Sequence, residues 1–280
     1  MKSFLAACVA ATLLLPAALS AQESADDKEK KKQEQQKADD EAKAVLKEYQ
    51  AKRNAALKAQ KESELIDAID LLKDAKPHRL IRTELLSLLG GPLPPKVRIE
   101  SADALGNYKK DAGACDALLR HARSERGSDP EVLDLRKKCL RSFGTIAPFA
   151  KSVDLEILFS EPEHDVARAA VEAAETIKSV RMLRSLVALL SELERISDSE
   201  GKDPGPEVPG GPPKQGENNS KRKRKEVLLD PTKKAINSIW SKVDSKKPLK
   251  DYTEANRAMQ DRRADIKKVQ DEEDAQDRKP

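Results

Sequence analysis

The stretch "PKVRIESADALG", residues 95–106, decides the fold of this chain. It begins with a proline, carries Val97, Ala102 and Leu105 at helical spacing, and ends in a glycine. Proline at the first helical position and glycine after the last one are common boundary signals of helices. The stretch therefore predicts a short helix with one apolar face.

Similar stretches return at residues 135–144 ("LRKKCLRSFG") and 166–175 ("VARAAVEAAE"). Intervals of 38 and 31 residues separate their first apolar positions, a range typical of two-helix repeats. Seven positions after those first residues the aligned stretches carry small side chains, namely Ala104, Ser142 and Ala173. Because a single helix pair cannot cover its own apolar face, such pairs stack and share one core.

The surrounding sequence predicts further helices and no strand. Apolar residues at helical spacing, interrupted by Gly, Pro and polar breaks, indicate eight helices between residues 65 and 196, the sixth over Phe149 to Phe159. Alternating strand patterns of useful length do not occur. The chain has 280 residues with 53 basic and 49 acidic side chains, a near balance that argues against a surface built throughout for nucleic acid. We expect an all-α fold.

The first 21 residues have the order of a secretory signal peptide: Lys2, an apolar run from Phe4 to Leu15, Pro16, and small residues up to Ala21. The apolar run is shorter than the ~20 residues that a spanning helix needs. We expect cleavage and a soluble product without a membrane span, exported to the periplasm or the extracellular space. An uncleaved anchor is the alternative.

The flanking segments are predicted from composition. Residues 22–62 form a charged spacer, disordered or frayed up to about Asp40 and then helical, for which a coiled coil is the weaker interpretation. Residues 196–229 are a Pro/Gly-rich basic loop inserted after the repeats at 63–195. Residues 230–268, with Asp230 as helix cap, are a degenerate repeat and a cap helix, and residues 269–280 are a frayed acidic tail.

The stretch at 95–106 resembles the first helix of a HEAT-type repeat, and the two similar stretches resemble it less completely. "LIRTELLSLLGG" and "MLRSLVALLSEL" are similar to that family's second helix. The resemblance covers roughly residues 63–195 and implies an α-solenoid of four to five helix pairs behind the charged extension. The matching residues of the first stretch are Pro95, Val97, Arg98, Ala102, Ala104, Leu105 and Gly106.

The resemblance also implies two roles for arginines. In this family, arginines placed like Arg98, Arg136 and Arg168 bridge successive layers. The second helices line the concave surface, so we expect partner contacts from Arg79, Arg120 and Arg181. A solvated face is the alternative for these three.

A separate basic run, "KRKRK", occupies the predicted loop and consists of Lys221, Arg222, Lys223, Arg224 and Lys225. Such a run binds acidic polymers in a salt-dependent way. Its alternative is a solvated loop that keeps the insert soluble.

Cysteines and histidines give no predicted site. Cys115 and Cys139 each lie on an apolar helical face, which favours buried free thiols and leaves a disulfide open. His78, His121 and His164 recur every 43 residues but in different contexts, so we treat the spacing as coincidence. We predict no catalytic, cofactor-binding or metal-binding residue, and no small-molecule ligand or cofactor.

We therefore expect a non-catalytic protein–protein scaffold or adaptor of the cell envelope or secreted space, since solenoids offer long concave surfaces. A polyanion-binding protein that uses residues 221–225 is the first alternative. An enzyme or lyase on a HEAT-like scaffold is the second.

Overall fold

The computed structural model describes residues 25–127, 129–196 and 215–279. Within these ranges all regular structure is helical and no residue is in a strand, which confirms the all-α prediction. The predicted signal peptide at 1–21 and the larger part of the predicted loop lie outside the described residues.

The elements follow one another with short connections. In chain order they are α1 (Ala25–Ala59), α2 (Glu62–Asp74), α3 (Arg79–Gly90), α4 (Pro95–Leu105), α5 (Ala112–Ser124), α6 (Pro130–Ile146), the 3-10 helix η1 (Phe149–Ser160), α7 (His164–Ile177), the short 3-10 helix η2 (Val180–Met182), α8 (Leu183–Arg195), α9 (Gln215–Trp240), α10 (Tyr252–Asp261) and α11 (Arg263–Asp277).

Contacts between elements arrange most of these helices in two rows. The first row consists of α2, α4, α6, α7 and α9, each of which contacts the next. The second row consists of α3, α5, η1 and α8, and each of these packs against the first-row helix that follows it in the chain. One cluster of buried apolar side chains extends from α1 to α10. The protein's core therefore lies between the two rows.

Small side chains let first-row neighbours approach each other closely. A Cβ added at Gly144 of α6 would lie 2.9 Å from the Cα atom of Ala173 on α7. A Cβ at Gly106, after α4, would lie 3.4 Å from the hydroxyl oxygen of Ser142 on α6. Ser142 and Ala173 are two of the aligned small residues, and both are buried. The alignment thus marks the positions where backbones of neighbouring helices come together.

The charged N-terminal segment is a continuous helix over the described residues, where disorder or fraying was expected up to about Asp40. Residues 27–37 are exposed, and side chains one turn apart pair along them, as Gln35 does with Asp39 at 3.1 Å. Further along, Ala42, Tyr49 and Ala56 are buried at intervals of seven residues. The helix contacts α2 and α3, so its second half belongs to the core.

Two expectations for the C-terminal third are corrected. The predicted basic loop ends earlier than residue 229, because α9 begins at Gln215 and encloses Pro231, so Asp230 does not cap a helix. The buried side chain of Leu228 anchors this early part of α9. The predicted frayed tail is also helical, since α11 continues to Asp277. Its acidic side chains have partners elsewhere in the chain, which composition alone does not reveal.

Candidate functional site

The arginines predicted to contact a partner lie in three different environments. Arg79 is exposed at the first residue of α3. Arg120 is exposed on α5 and lines a shallow cavity. Arg181 is only partly exposed, because its guanidinium group pairs with the carboxylate of Asp274 on α11. Two cavities lie on the described surface. Arg120 lines one of them, and Arg79 and Arg181 line neither.

That cavity, which we name the α5–η1 groove, has a volume of about 350 Å³. Two polar contacts hold its walls together. The Lys151 ammonium group lies 2.8 Å from the carboxylate of Asp116, and the Arg123 guanidinium group donates to the backbone carbonyl of Asp154. The lining residues are Asp116, Leu119, Arg120, Arg123, Ser124 and Asp154.

Exposed apolar side chains occur on η1, the 3-10 helix that contributes Asp154 to this groove. Ile157 is 67% exposed and Val153 is 41% exposed, although both belong to η1. Residues three apart in a 3-10 helix lie directly above one another, so Ile157 shares the face of Asp154, which lines the groove. The groove therefore combines two guanidinium groups and two carboxylates with an uncovered aliphatic side chain beside them.

A second cavity, of about 220 Å³, lies among α2, α4 and α6 and is more polar. At its centre the carboxylate of Asp103 accepts hydrogen bonds from Lys73 at 2.5 Å and from Lys138 at 2.9 Å. Burial acts to raise the pKa of Asp103, but the two lysine hydrogen bonds outweigh it and lower the pKa. A carboxylate held ionised between two ammonium groups ties three first-row helices together, and we assign it a structural role.

Arg98 and Arg136 bridge neighbouring elements. Each Nε atom donates to a backbone carbonyl near the end of the preceding second-row helix, Leu89 for Arg98 and Ala122 for Arg136, both at 2.8 Å. Their guanidinium groups then pair with glutamates, Glu125 and Glu161 respectively.

Arg168 does not follow this pattern, contrary to the expectation from the resemblance. Its Nε atom lies 2.9 Å from the carboxylate of Glu172, one turn further along the same helix, and the side chain is half exposed. The reason is register. Arg168 comes two residues after Val166, whereas Arg98 and Arg136 come one residue after Val97 and Leu135.

Arg224, in the basic run, makes contacts of the bridging kind. Its guanidinium group donates to the backbone carbonyls of Phe159 at 2.5 Å and Glu161 at 3.1 Å, where η1 ends. The next residue, Lys225, donates to the carbonyl of Ile196 at 2.8 Å. Sequence reasoning missed both roles because it placed the run in a loop. Lys221, Arg222 and Lys223 are exposed.

The two cysteines within the described residues are buried, and each of the three histidines has hydrogen-bonding partners within the protein. Cys115 and Cys139 are both free and buried, and burial raises the pKa of each thiol to about 12. His78 caps α3 and lies 2.8 Å from the carboxylate of Asp39, while His164 lies 3.1 Å from the carbonyl of Ser220. His121 lies between Arg98 and Glu125. Within residues 25–127, 129–196 and 215–279 no group of three or more potential metal ligands occurs.

Comparisons with protein-family models, curated proteins and solved structures found no match to this chain. In the part of the chain that the structure describes, no helix is both long and apolar enough to cross a bilayer.

Proposed function

We propose that this protein is a non-catalytic interaction scaffold that binds another protein at the α5–η1 groove. The observation that carries the proposal is the exposed Ile157, on the face of η1 that meets the groove, with Arg120 in the same groove. Uncovered aliphatic surface next to a polar rim is typical of protein-binding sites, and arginine is enriched in them.

The scaffold we propose is an α-solenoid of HEAT-like helix pairs. Two observations support it: the contact order of the two rows, and the arginine bridges from first-row helices to the ends of second-row helices. Stacked pairs of this kind present extended surfaces without a deep pocket, in keeping with two shallow cavities. From the N-terminal sequence we further propose that the protein is exported and acts in the cell envelope or outside the cell.

The groove is tested by immobilising the protein without residues 1–21 and incubating it with envelope extract. Three proteins are compared: the unmodified chain, a groove variant with Ile157→Asp and Arg120→Glu, and a control with Arg141→Glu. Arg141 is exposed on α6 and lines the second cavity instead. A partner that binds the unmodified chain and the control but is lost from the groove variant supports the proposal. A partner retained by all three proteins contradicts it.

Polyanion binding through the basic run is the rival function. Lys221, Arg222 and Lys223 are exposed near the start of α9 and support it, whereas Arg224 and Lys225 hold backbone carbonyls of the fold. The rival predicts retention on a heparin column that falls steeply with salt, because each phosphate or sulfate contact releases counterions. Changing the three exposed residues to Ser would then abolish retention and leave the groove partner bound.

A further inference from the structure

The helix α11 lies against the second row through its acidic side chains. Glu273 is 2% exposed, and its carboxylate accepts hydrogen bonds from the Ser179 hydroxyl at 2.8 Å and the Val180 amide at 3.0 Å. The same carboxylate lies 2.9 Å from the ammonium group of Lys242. One turn further on, Asp277 accepts from the amides of Phe149 at 3.1 Å and Ala150 at 2.8 Å.

Two cations extend this contact surface. Arg181 pairs with Asp274, the residue after Glu273. Lys110 donates to the backbone carbonyls of Gln276 at 2.8 Å and Lys279 at 3.1 Å. The segment from Glu273 to Lys279 thus meets hydrogen-bond donors along its length.

Apart from Lys242, which follows the end of α9, these donors come from three successive turns of the fold. Lys110 lies between α4 and α5, Phe149 follows the end of α6, and Ser179 follows the end of α7. Each of these turns joins a first-row helix to the second-row helix after it. We name the surface that they form the donor track, defined by Lys110, Phe149, Ala150, Ser179, Val180, Arg181 and Lys242.

Charge and hydrogen bonds hold α11 in the donor track more than apolar burial does. The single residue of α11 that is buried is Glu273, and the apolar side chains of Ile266 and Val269 are only partly covered. Elements with little buried apolar surface open at low free-energy cost, and the partly exposed Arg181–Asp274 pair weakens in salt. When α11 leaves, its ammonium, guanidinium and amide partners are left without their carboxylates.

We propose that the donor track is a binding site for acidic helical segments of other proteins, and that α11 occupies it as an intramolecular competitor. Glu273 and Asp277 show the pattern that the track recognises: two carboxylates four residues apart, on one face of a helix. This proposal and the proposed function share one premise, namely that the protein binds another protein. The residues of the donor track differ from those of the α5–η1 groove, so either proposal can fail alone.

The experiment uses a fluorescent peptide of residues 263–279 and three full-length proteins, with binding followed by fluorescence anisotropy. The proteins are the unmodified chain, the variant Glu273→Gln with Asp277→Asn, and a charge-matched control, Asp271→Asn with Glu272→Gln. Asp271 and Glu272 are exposed on the same helix. Circular dichroism on all three proteins checks that the helices outside α11 remain folded.

The variant is expected to bind the peptide at least about tenfold more tightly than the unmodified chain and the control, because its own competitor is weakened. Binding should fall with salt and be lost when Arg181→Gln and Lys242→Gln are added. Equally weak binding to all three proteins, or binding that survives those two changes, would overturn the proposal.

Two further measurements on the unmodified chain keep the test decisive. Hydrogen exchange should be faster in α11 than in α7, and equal protection would show that α11 is a fixed part of the fold. Light scattering should show a monomer. A dimer that disappears with Glu273→Gln would mean that α11 docks on a second copy, which overturns the intramolecular assignment.

Discussion

Arginine side chains on α4 and α6 join each of these helices to the end of the second-row helix before it. Arg136 is 4% exposed, and its guanidinium group satisfies both the carbonyl of Ala122 and the carboxylate of Glu161. Burying an unpaired charge or carbonyl costs far more free energy than a good hydrogen bond returns. Removing Arg136 is therefore expected to lower the free energy of unfolding substantially.

We expect Arg136→Met to lower the free energy of unfolding by about 3 kcal/mol, because it leaves a carbonyl and a partly buried carboxylate without their donor. Arg168→Met should lower it by about 0.5 kcal/mol or less, since it removes an exposed pair within one helix. Urea denaturation followed by circular dichroism measures both values. Equal losses in the two variants would contradict the bridging role of Arg136.

The resemblance assigned Arg98, Arg136 and Arg168 alike to bridging, and only Arg98 and Arg136 make bridging contacts in the structure. A stricter use of the alignment would have excluded Arg168, because its register differs by one residue and one residue rotates a helical side chain by about 100°. Arg224 could not be identified in this way, because the Pro/Gly-rich segment before it prevented an alignment of residues 221–225 with the repeats. The buried Leu228, four residues later, is the signal that was available.

At the scale of elements, the contacts of α9 and α11 depend on partners far away in sequence. Composition predicted a loop over 196–229 and a frayed tail over 269–280, although α9 begins at Gln215 and α11 continues to Asp277. Glu273 and Asp277 find their donors 93 and 128 residues away, in Val180 and Phe149. No local pattern contains that information, because helix propensity of charged segments is weak without tertiary contacts.

The first turns of α9 should depend on the anchoring contacts of Arg224. We expect Arg224→Gln to increase hydrogen exchange of the amides at 219–227 by about tenfold, because the loss of two carbonyl contacts leaves this segment to open locally. The exchange of α7 should stay unchanged. Arg222→Gln is the matched control, since among the described residues Arg222 pairs with Glu226 of its own helix, at 3.0 Å. Equal exchange in both variants would refute the anchoring.

At the scale of the whole molecule, each described row helix packs mainly on its neighbours, and α11 adds contacts from the C-terminal end back to Lys110 and Phe149. The single tryptophan, Trp240, is 2% exposed at the end of α9 and reports on the C-terminal end of the rows. Far-UV circular dichroism reports on all helices together. The arrangement therefore provides separate local and global probes of unfolding.

We expect the fluorescence of Trp240 to change at a urea concentration about 0.5 M below the midpoint seen by circular dichroism. A free energy of local unfolding that is lower by about 1 kcal/mol, and that falls by about 2 kcal/mol per molar urea, shifts the midpoint by about 0.5 M. The physical reason is that α9, as the last first-row helix, lacks the following first-row neighbour that stabilises α6 and α7. Coincident transitions would show one cooperative unit instead.

A second reporter and one substitution complete this test. Moving the tryptophan with Trp240→Phe and Tyr108→Trp places the probe after α4, where the transition should shift to the circular-dichroism midpoint. Glu273→Gln should widen the separation between the Trp240 and dichroism midpoints, because α11 carries contacts from the C-terminal end back to Phe149 and Lys110. An unchanged separation would mean that α11 does not couple the two ends, and that the rows alone determine how the molecule unfolds.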